Sequence, residues 1–137
     1  MPLHATLQPL MEEHQRILQA CDYLYKTEHK PALTTQERFA FVVKTFQQEM
    51  VPHQRKEQYI FDACKGKLPE LDFLIAELEA EHLHLSRLYS TLTETVELDE
   101  VIDQIAEALT VHILKEEAHF YEIVQRQLPE IIDNIVW

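Results

Sequence analysis

The sequence predicts an all-α protein, an antiparallel up-down-up-down four-helix bundle with a short apolar C-terminal tail. Three observations lead there. A single glycine among 137 residues leaves too little turn material for a strand-and-turn architecture. Four long stretches repeat apolar residues at the i, i+3, i+4, i+7 spacing of an amphipathic helix. With one exception, Pro52, the caps and breakers fall between those stretches, so the connections are short and neighbouring helices run antiparallel. The length fits one domain, residues 1–137.

The first helix spans about 6–27, with Leu7, Leu10, Met11, His14, Ile17, Leu18, Cys21, Leu24 and Tyr25 on its stripe. His29-Lys30-Pro31 ends it, because a proline disfavours helix in the residue before it. The second spans about 35–64. Thr34 and Glu37 form a capping box at its start, and Gly66 stands where a left-handed C-cap would end it. Pro52 lies inside this helix, where it removes a hydrogen bond and clashes with the preceding turn, so a kink or bulge is expected directly before His53. The third spans about 69–93, starting at Pro69, with Leu71, Leu74, Ile75, Leu78, His82, Leu85, Tyr89 and Leu92 facing inward. The fourth spans about 99–127, with Asp99 as N-cap and Ile105, Leu109, His112, Glu116, Phe120 and Val124 on its stripe. After Pro129 the apolar tail Ile131, Ile132, Ile135, Val136 and Trp137 caps the bundle end or forms a dimer contact, and capping is the preferred reading.

Charge and cysteine usage narrow the function classes. A net charge of −12 argues against nucleic acid and against anionic membrane surfaces. No apolar run approaches the ~18 residues of a spanning helix, and Met1-Pro2-Leu3-His4 is no basic-then-apolar leader. A cytoplasmic protein is expected. Cys21 and Cys64 fit no zinc or redox spacing and read as small core residues.

Two segments share one spacing, His53-x-x-x-Glu57 and His112-x-x-x-Glu116. Positions i and i+4 lie one turn apart on one helix face, so each segment presents an imidazole and a carboxylate together. His14 and His82 sit on the inward stripes of the other two helices. In an antiparallel hairpin, residues equidistant from the turn lie at one height. The midpoints of 14/53, 53/82 and 82/112 are 33.5, 67.5 and 97, all in or beside the expected connections. The four histidines therefore share one layer. A buried ionised carboxylate costs several kcal/mol unless it is paired or binds a metal. No Arg or Lys lies on these stripes. A divalent cation resolves that imbalance; a metal-free His/Glu hydrogen-bond network is the alternative. Four His and two Glu exceed one tetrahedral zinc and suit two ions bridged by the two carboxylates. Nitrogen-rich, thiolate-free ligation fits iron better than manganese, zinc or copper.

The ordered set Glu13-His14, His53-x-x-x-Glu57, Glu81-His82 and His112-x-x-x-Glu116-Glu117 resembles the hemerythrin-like HHE cation-binding family over essentially the whole chain. The resemblance implies a four-helix bundle with a non-haem di-iron centre and an oxo or hydroxo bridge. It implies His14, His53, His82 and His112 as terminal ligands and Glu57 and Glu116 as bridging carboxylates. One departure stands out. The oxygen-carrying members have a second histidine four residues after the first on the third helix, and here that position is Ser86. A centre with one fewer histidine leaves more open coordination for water, dioxygen, nitric oxide or peroxide.

Around the ligands, Phe61 and Phe120 are candidate pocket walls, and Ser86 and His119 are candidates for the layer behind the ligands. His84 should face outward, and His4 and His29 lie near helix ends. Tyr59, Tyr89 and Tyr121 are candidates for hydrogen-bond donors or redox-active residues, with surface or core packing the preferred reading for each. Lys56 and Lys115 read as outward-pointing. The function expected is reversible binding of dioxygen or a related small ligand for storage, delivery or sensing. The alternatives are an oxidoreductase acting on peroxide or nitric oxide or in iron-centre repair, cation handling without chemistry, and a metal-free helical interaction protein. A homodimer through the tail or a helix face is the expected self-association.

Overall fold

The computed structural model describes residues 3–24 and 33–137. Every regular element among them is helical: α1 (Gln8–Leu24), α2 (Thr35–Thr45), α3 (Val51–Cys64), α4 (Pro69–Thr91), α5 (Leu98–Lys115), α6 (Tyr121–Gln127) and α7 (Pro129–Asp133). Two of the joins are not breaks. A π-turn, Phe46–Met50, links α2 to α3, and another, Glu116–Phe120, links α5 to α6. Four long helical units therefore stand where four helices are expected. The expected end of the first helix at His29-Lys30-Pro31 lies outside the described residues. None of the described helices is long and apolar enough to cross a membrane.

The local signals act as their chemistry requires. The Thr34 hydroxyl accepts from the Glu37 backbone N–H while the Glu37 carboxylate accepts from that of Thr34, so two orphan donors are satisfied reciprocally. Gly66 takes φ 81°, the left-handed conformation that lets the chain leave α3. The bulge expected at Pro52 is the first π-turn, one turn ahead of the proline, where Val51 N–H reaches back to the Phe46 carbonyl.

Asp99 is not the N-cap of α5. Glu97 holds that position without a side-chain cap, and Asp99 lies in the first turn. Its carboxylate instead accepts from the Thr35 hydroxyl at 2.7 Å and from Arg38. The Arg38 side chain is buried and also binds Asp103, tying α2 to α5. The tail is not uniformly apolar in its placement. Its short helix α7 buries Ile132, and Ile135 is buried too, whereas Val136 is exposed and Trp137 half-exposed. The Trp137 indole N–H donates to the Thr6 carbonyl, so the chain end is held against the start of α1.

The apolar interior is split in two. One cluster holds Leu7, Leu10, Ile60, Phe61, Leu78, Phe120 and Val124; the other holds Ile17, Val42, Met50, Leu85, Leu109 and Ile113. Each long unit contributes to both. In α1 the first cluster comes before the second, in the α2–α3 unit after it, in α4 before it and in the α5–α6 unit after it. Between the two clusters, at one level, lie the buried polar side chains Glu13, His14, His53, Glu57, His82, His112 and Glu116.

Candidate metal centre

A polar layer between two apolar clusters has to satisfy its own hydrogen bonds. Here His14 comes from α1, His53 and Glu57 from α3, His82 from α4, His112 from α5, and Glu116 from the second π-turn. Their ligand atoms fall into two groups, each within 4.8 Å: His14, His53, Glu57 and Glu116, and Glu57, His82, His112 and Glu116. The two carboxylates are common to both. His14 and His53 rings lie 4.5 Å apart, and His82 and His112 rings 4.7 Å apart. Glu57 faces both groups, with Oε2 at 3.2 Å from His53 Nε2 and Oε1 at 3.1 Å from His82 Nε2. Glu116 Oε1 lies 2.8 Å from His112 Nε2 and 3.7 Å from His14 Nε2.

Outer carboxylates orient three of the four rings. His14 Nδ1 donates to Glu117 Oε2 at 2.8 Å, His53 Nδ1 to Glu13 Oε1 at 2.8 Å, and His112 Nδ1 to Glu81 Oε1 at 2.7 Å. A carboxylate only accepts, so Nδ1 carries a hydrogen in each ring and Nε2 is the nitrogen turned to the centre, where a metal would take its lone pair. The outer carboxylates are anchored in turn. Lys56 donates to Glu13, and Lys115 donates to Glu81 at 2.8 Å. Both lysines were expected to point outward; their long stems instead carry the ammonium groups back to carboxylates on the neighbouring helices.

The electrostatics are unbalanced. Burial pushes the Glu57 carboxyl up, but the charge of His53 and hydrogen bonds from its neighbours pull it well below the ordinary range. Burial and the adjacent Glu57 charge hold the Glu116 carboxyl well above it. Burial lowers His53, yet Glu57 and Glu13 outweigh that and push it up to about 9. His112 goes the other way, lowered by burial and by His82. Protons thus distribute unevenly over a set of groups that cannot all be satisfied by one another. The buried atoms left without a hydrogen-bond partner include His53 Nε2, His82 Nε2, His112 Nε2, Glu57 Oε1 and both oxygens of Glu116. All face one another across the centre, and the protons that His53 and Glu116 hold there are the ones a metal would displace. Such a donor set fits divalent metal ions, which accept nitrogen and oxygen lone pairs and supply the missing positive charge.

The remaining expected residues divide. Phe61 and Phe120 are buried, meet edge to face at 5.0 Å, and Phe61 stacks on His82 at 5.6 Å, so together they close one end of the layer. His119 is exposed and does not lie behind the ligands: the π-turn presents Glu116 and Phe120 inward and leaves Ala118 and His119 outside. Ser86 is half-buried, and its hydroxyl makes none of the hydrogen bonds that orient the cluster. His84 is exposed, as expected. Cys21 and Cys64 are buried free thiols, and burial raises each to about 11, which suits core residues.

Tyr121 takes the hydrogen-bond-donor role that stands second to packing in the sequence reading. Its Oη donates to Glu57 Oε2 at 2.7 Å and lies 3.4 Å from His14 Nε2, and its ring stacks on His14 at 5.4 Å. Regular α-helical geometry would put the residue five after Glu116 off the inward stripe. The π-turn's i→i+5 bond, from Tyr121 N–H to the Glu116 carbonyl, places it directly over Glu116. The adjacent large aromatics at four and five residues after a ligand were the available signal.

On the other side, a cavity of about 490 Å³ opens between α4 and α5, reaching His112 past Glu81, Leu85 and Ala108. Among known proteins, the family described as Hemerythrin HHE cation binding domain matches residues 6–124. No curated protein and no solved structure matches the chain.

Proposed function

The chain belongs to the hemerythrin HHE cation-binding domain family, and from that premise we propose that it is a non-haem di-iron protein that binds dioxygen or a related small ligand for storage, delivery or sensing. The observation that carries the reading is the set of buried, inward-facing nitrogen and oxygen atoms without a hydrogen-bond partner on His53, His82, His112, Glu57 and Glu116. The alternating order in which the four units meet the two apolar clusters supports an up-down-up-down bundle around this layer. His14 and His53 would hold one ion and His82 and His112 the other, with Glu57 and Glu116 shared between them. Thiolates take no part, since both cysteines lie in the apolar clusters, and nitrogen and carboxylate donors favour iron. Bound reduced iron supplies open coordination positions where a small diatomic ligand can attach.

The protein's own contributions are separate from the metal's. Glu13, Glu81 and Glu117 fix three imidazoles in one tautomer, Lys56 and Lys115 hold two of those carboxylates, and Phe61 and Phe120 keep water from one end. The test is titration of the anaerobically reduced, iron-loaded protein with dioxygen. A reversible, spectrally distinct adduct is expected. Steady-state consumption of peroxide or nitric oxide with an electron donor would make it an oxidoreductase instead, and absence of bound transition metal after both aerobic and anaerobic preparation would end the reading.

A further inference from the structure

The two halves of the centre have equal ligand sets, two histidines each and two shared glutamates. Among the described residues, a phenol hydrogen-bonds to the ligand atoms of one half. Tyr121 Oη sits 2.7 Å from Glu57 Oε2 and 3.4 Å from His14 Nε2, both atoms of the His14–His53 half. Ligand atoms bound to one ion at ~2.0–2.2 Å stand roughly 3–3.5 Å apart when they are adjacent in the coordination sphere. The Tyr121 oxygen is at such a separation from His14 and close to it from Glu57. Its position is imposed rather than incidental. The side chain is buried, the stacked His14 ring fixes the plane of the phenol, and the π-turn aims it inward.

Resting on the reading of this cluster as a two-ion centre, we infer that Tyr121 is a direct oxygen ligand of the ion held by His14 and His53. When that ion binds, the phenol gives its proton to solvent and an oxygen–metal bond forms; no electrons are exchanged. The nearby dication reverses the surroundings that keep the phenol protonated without metal, since a bound cation is the largest local charge. The ligand missing at Ser86 is thereby replaced from a different helix and on the other ion. The His14–His53 half is filled by the protein, while the His82–His112 half, beside the cavity between α4 and α5, keeps its open positions.

The test is resonance Raman and visible absorption of the ferric protein, with iron content measured on the same samples. Expected are a visible tyrosinate-to-iron charge-transfer band and enhanced phenolate ring modes, both lost in Tyr121→Phe while iron content is retained, and both kept in Tyr89→Phe. Iron bound with no tyrosinate signature, or a signature that survives Tyr121→Phe, would overturn the inference alone. Failure to bind iron at all would overturn the reading beneath it as well. If Tyr121→Phe does not fold, ring-deuterated tyrosine in the unsubstituted protein decides: ring modes that shift support the ligand, and no shifting mode overturns it.

Discussion

The His14–His53 half and the His82–His112 half are written in the same residues: Glu-His on one helix, and His-x-x-Lys-Glu on the next. In each, the glutamate before one histidine orients the other helix's histidine, and the lysine beside the shared glutamate anchors that outer glutamate. The environments nevertheless diverge. His14 is fully buried and capped by Tyr121, whereas His82 keeps some exposure and His112 borders a cavity. His53 is held up and His112 pushed down; Glu57 is held down and Glu116 pushed up. The residue in α3 that corresponds to Tyr121 is Asp62, which is exposed and binds Gln58 and Lys65. A repeated motif therefore fixes which atoms are presented, and the positions around it decide how closed each copy is.

The largest effect should come from residues common to both halves. Glu57→Ala or Glu116→Ala should abolish most metal binding, a greater loss than the ~10–100-fold expected for an outer carboxylate such as Glu13 or Glu81, while His84→Ala should leave metal content unchanged. Elemental analysis after equilibrium dialysis reads this directly, and equal retention in all of them would dissolve the distinction between centre and surface.

A second effect separates the halves by pH in the metal-free protein. His53 is raised to about 9, so its contribution is complete below its ordinary value of 6.5 and is lost as pH rises through about 9, at most on the order of 3 kcal/mol. His112 is lowered, so its sign is opposite: it costs stability as pH falls through its ordinary range. Denaturant unfolding of chelated protein between pH 6.5 and 9 should show a decline that His53→Gln reduces and His112→Gln leaves in place; Glu116, also held high, contributes a decline of the same sign.

A smaller contrast lies in the corresponding pair. Tyr121→Phe should destabilise the metal-free protein by ~1–3 kcal/mol, because it removes the hydroxyl that donates to the buried Glu57. Asp62→Asn, at the exposed counterpart, should stay within about 0.5 kcal/mol. Unfolding midpoints of the two variants measure the difference. Smallest of all, Lys56→Met and Lys115→Met should each cost below about 1 kcal/mol, since both ammonium groups remain partly solvated. A cost several times larger in one of them would show that the outer carboxylates are unequally supported.

Much of this was legible in residue order because it is local or periodic. Thr34 and Glu37 cap at fixed spacing, Gly66 supplies a left-handed turn, and the turn midpoints bring His14, His53, His82 and His112 to one level. What escaped is what helices do to one another. Glu13 and Glu81 stand one residue before a histidine, off the inward stripe, and face a neighbouring helix, which a stripe drawn on a single helix does not reveal. Arg38 and Asp99 pair across α2 and α5, so the expected cap was already engaged. Tyr121 escaped because no proline marks the second π-turn as Pro52 marks the first.

That second π-turn has a consequence for how the chain can change. A π-turn is an α-helix carrying one additional residue. The additional residue here falls in a stretch where Ala118 and His119 are exposed. Loss of either would close the loop to ordinary α-helical spacing and let Tyr121 keep its bond to the Glu116 carbonyl, so α6, α7 and the anchored Trp137 need not rotate. Length variation, normally disruptive inside a packed helix, is confined here to a point one turn from the chemistry. Lineages could trim or restore that residue, reshaping the wall made by Phe120 while the downstream half of the helix stays in register.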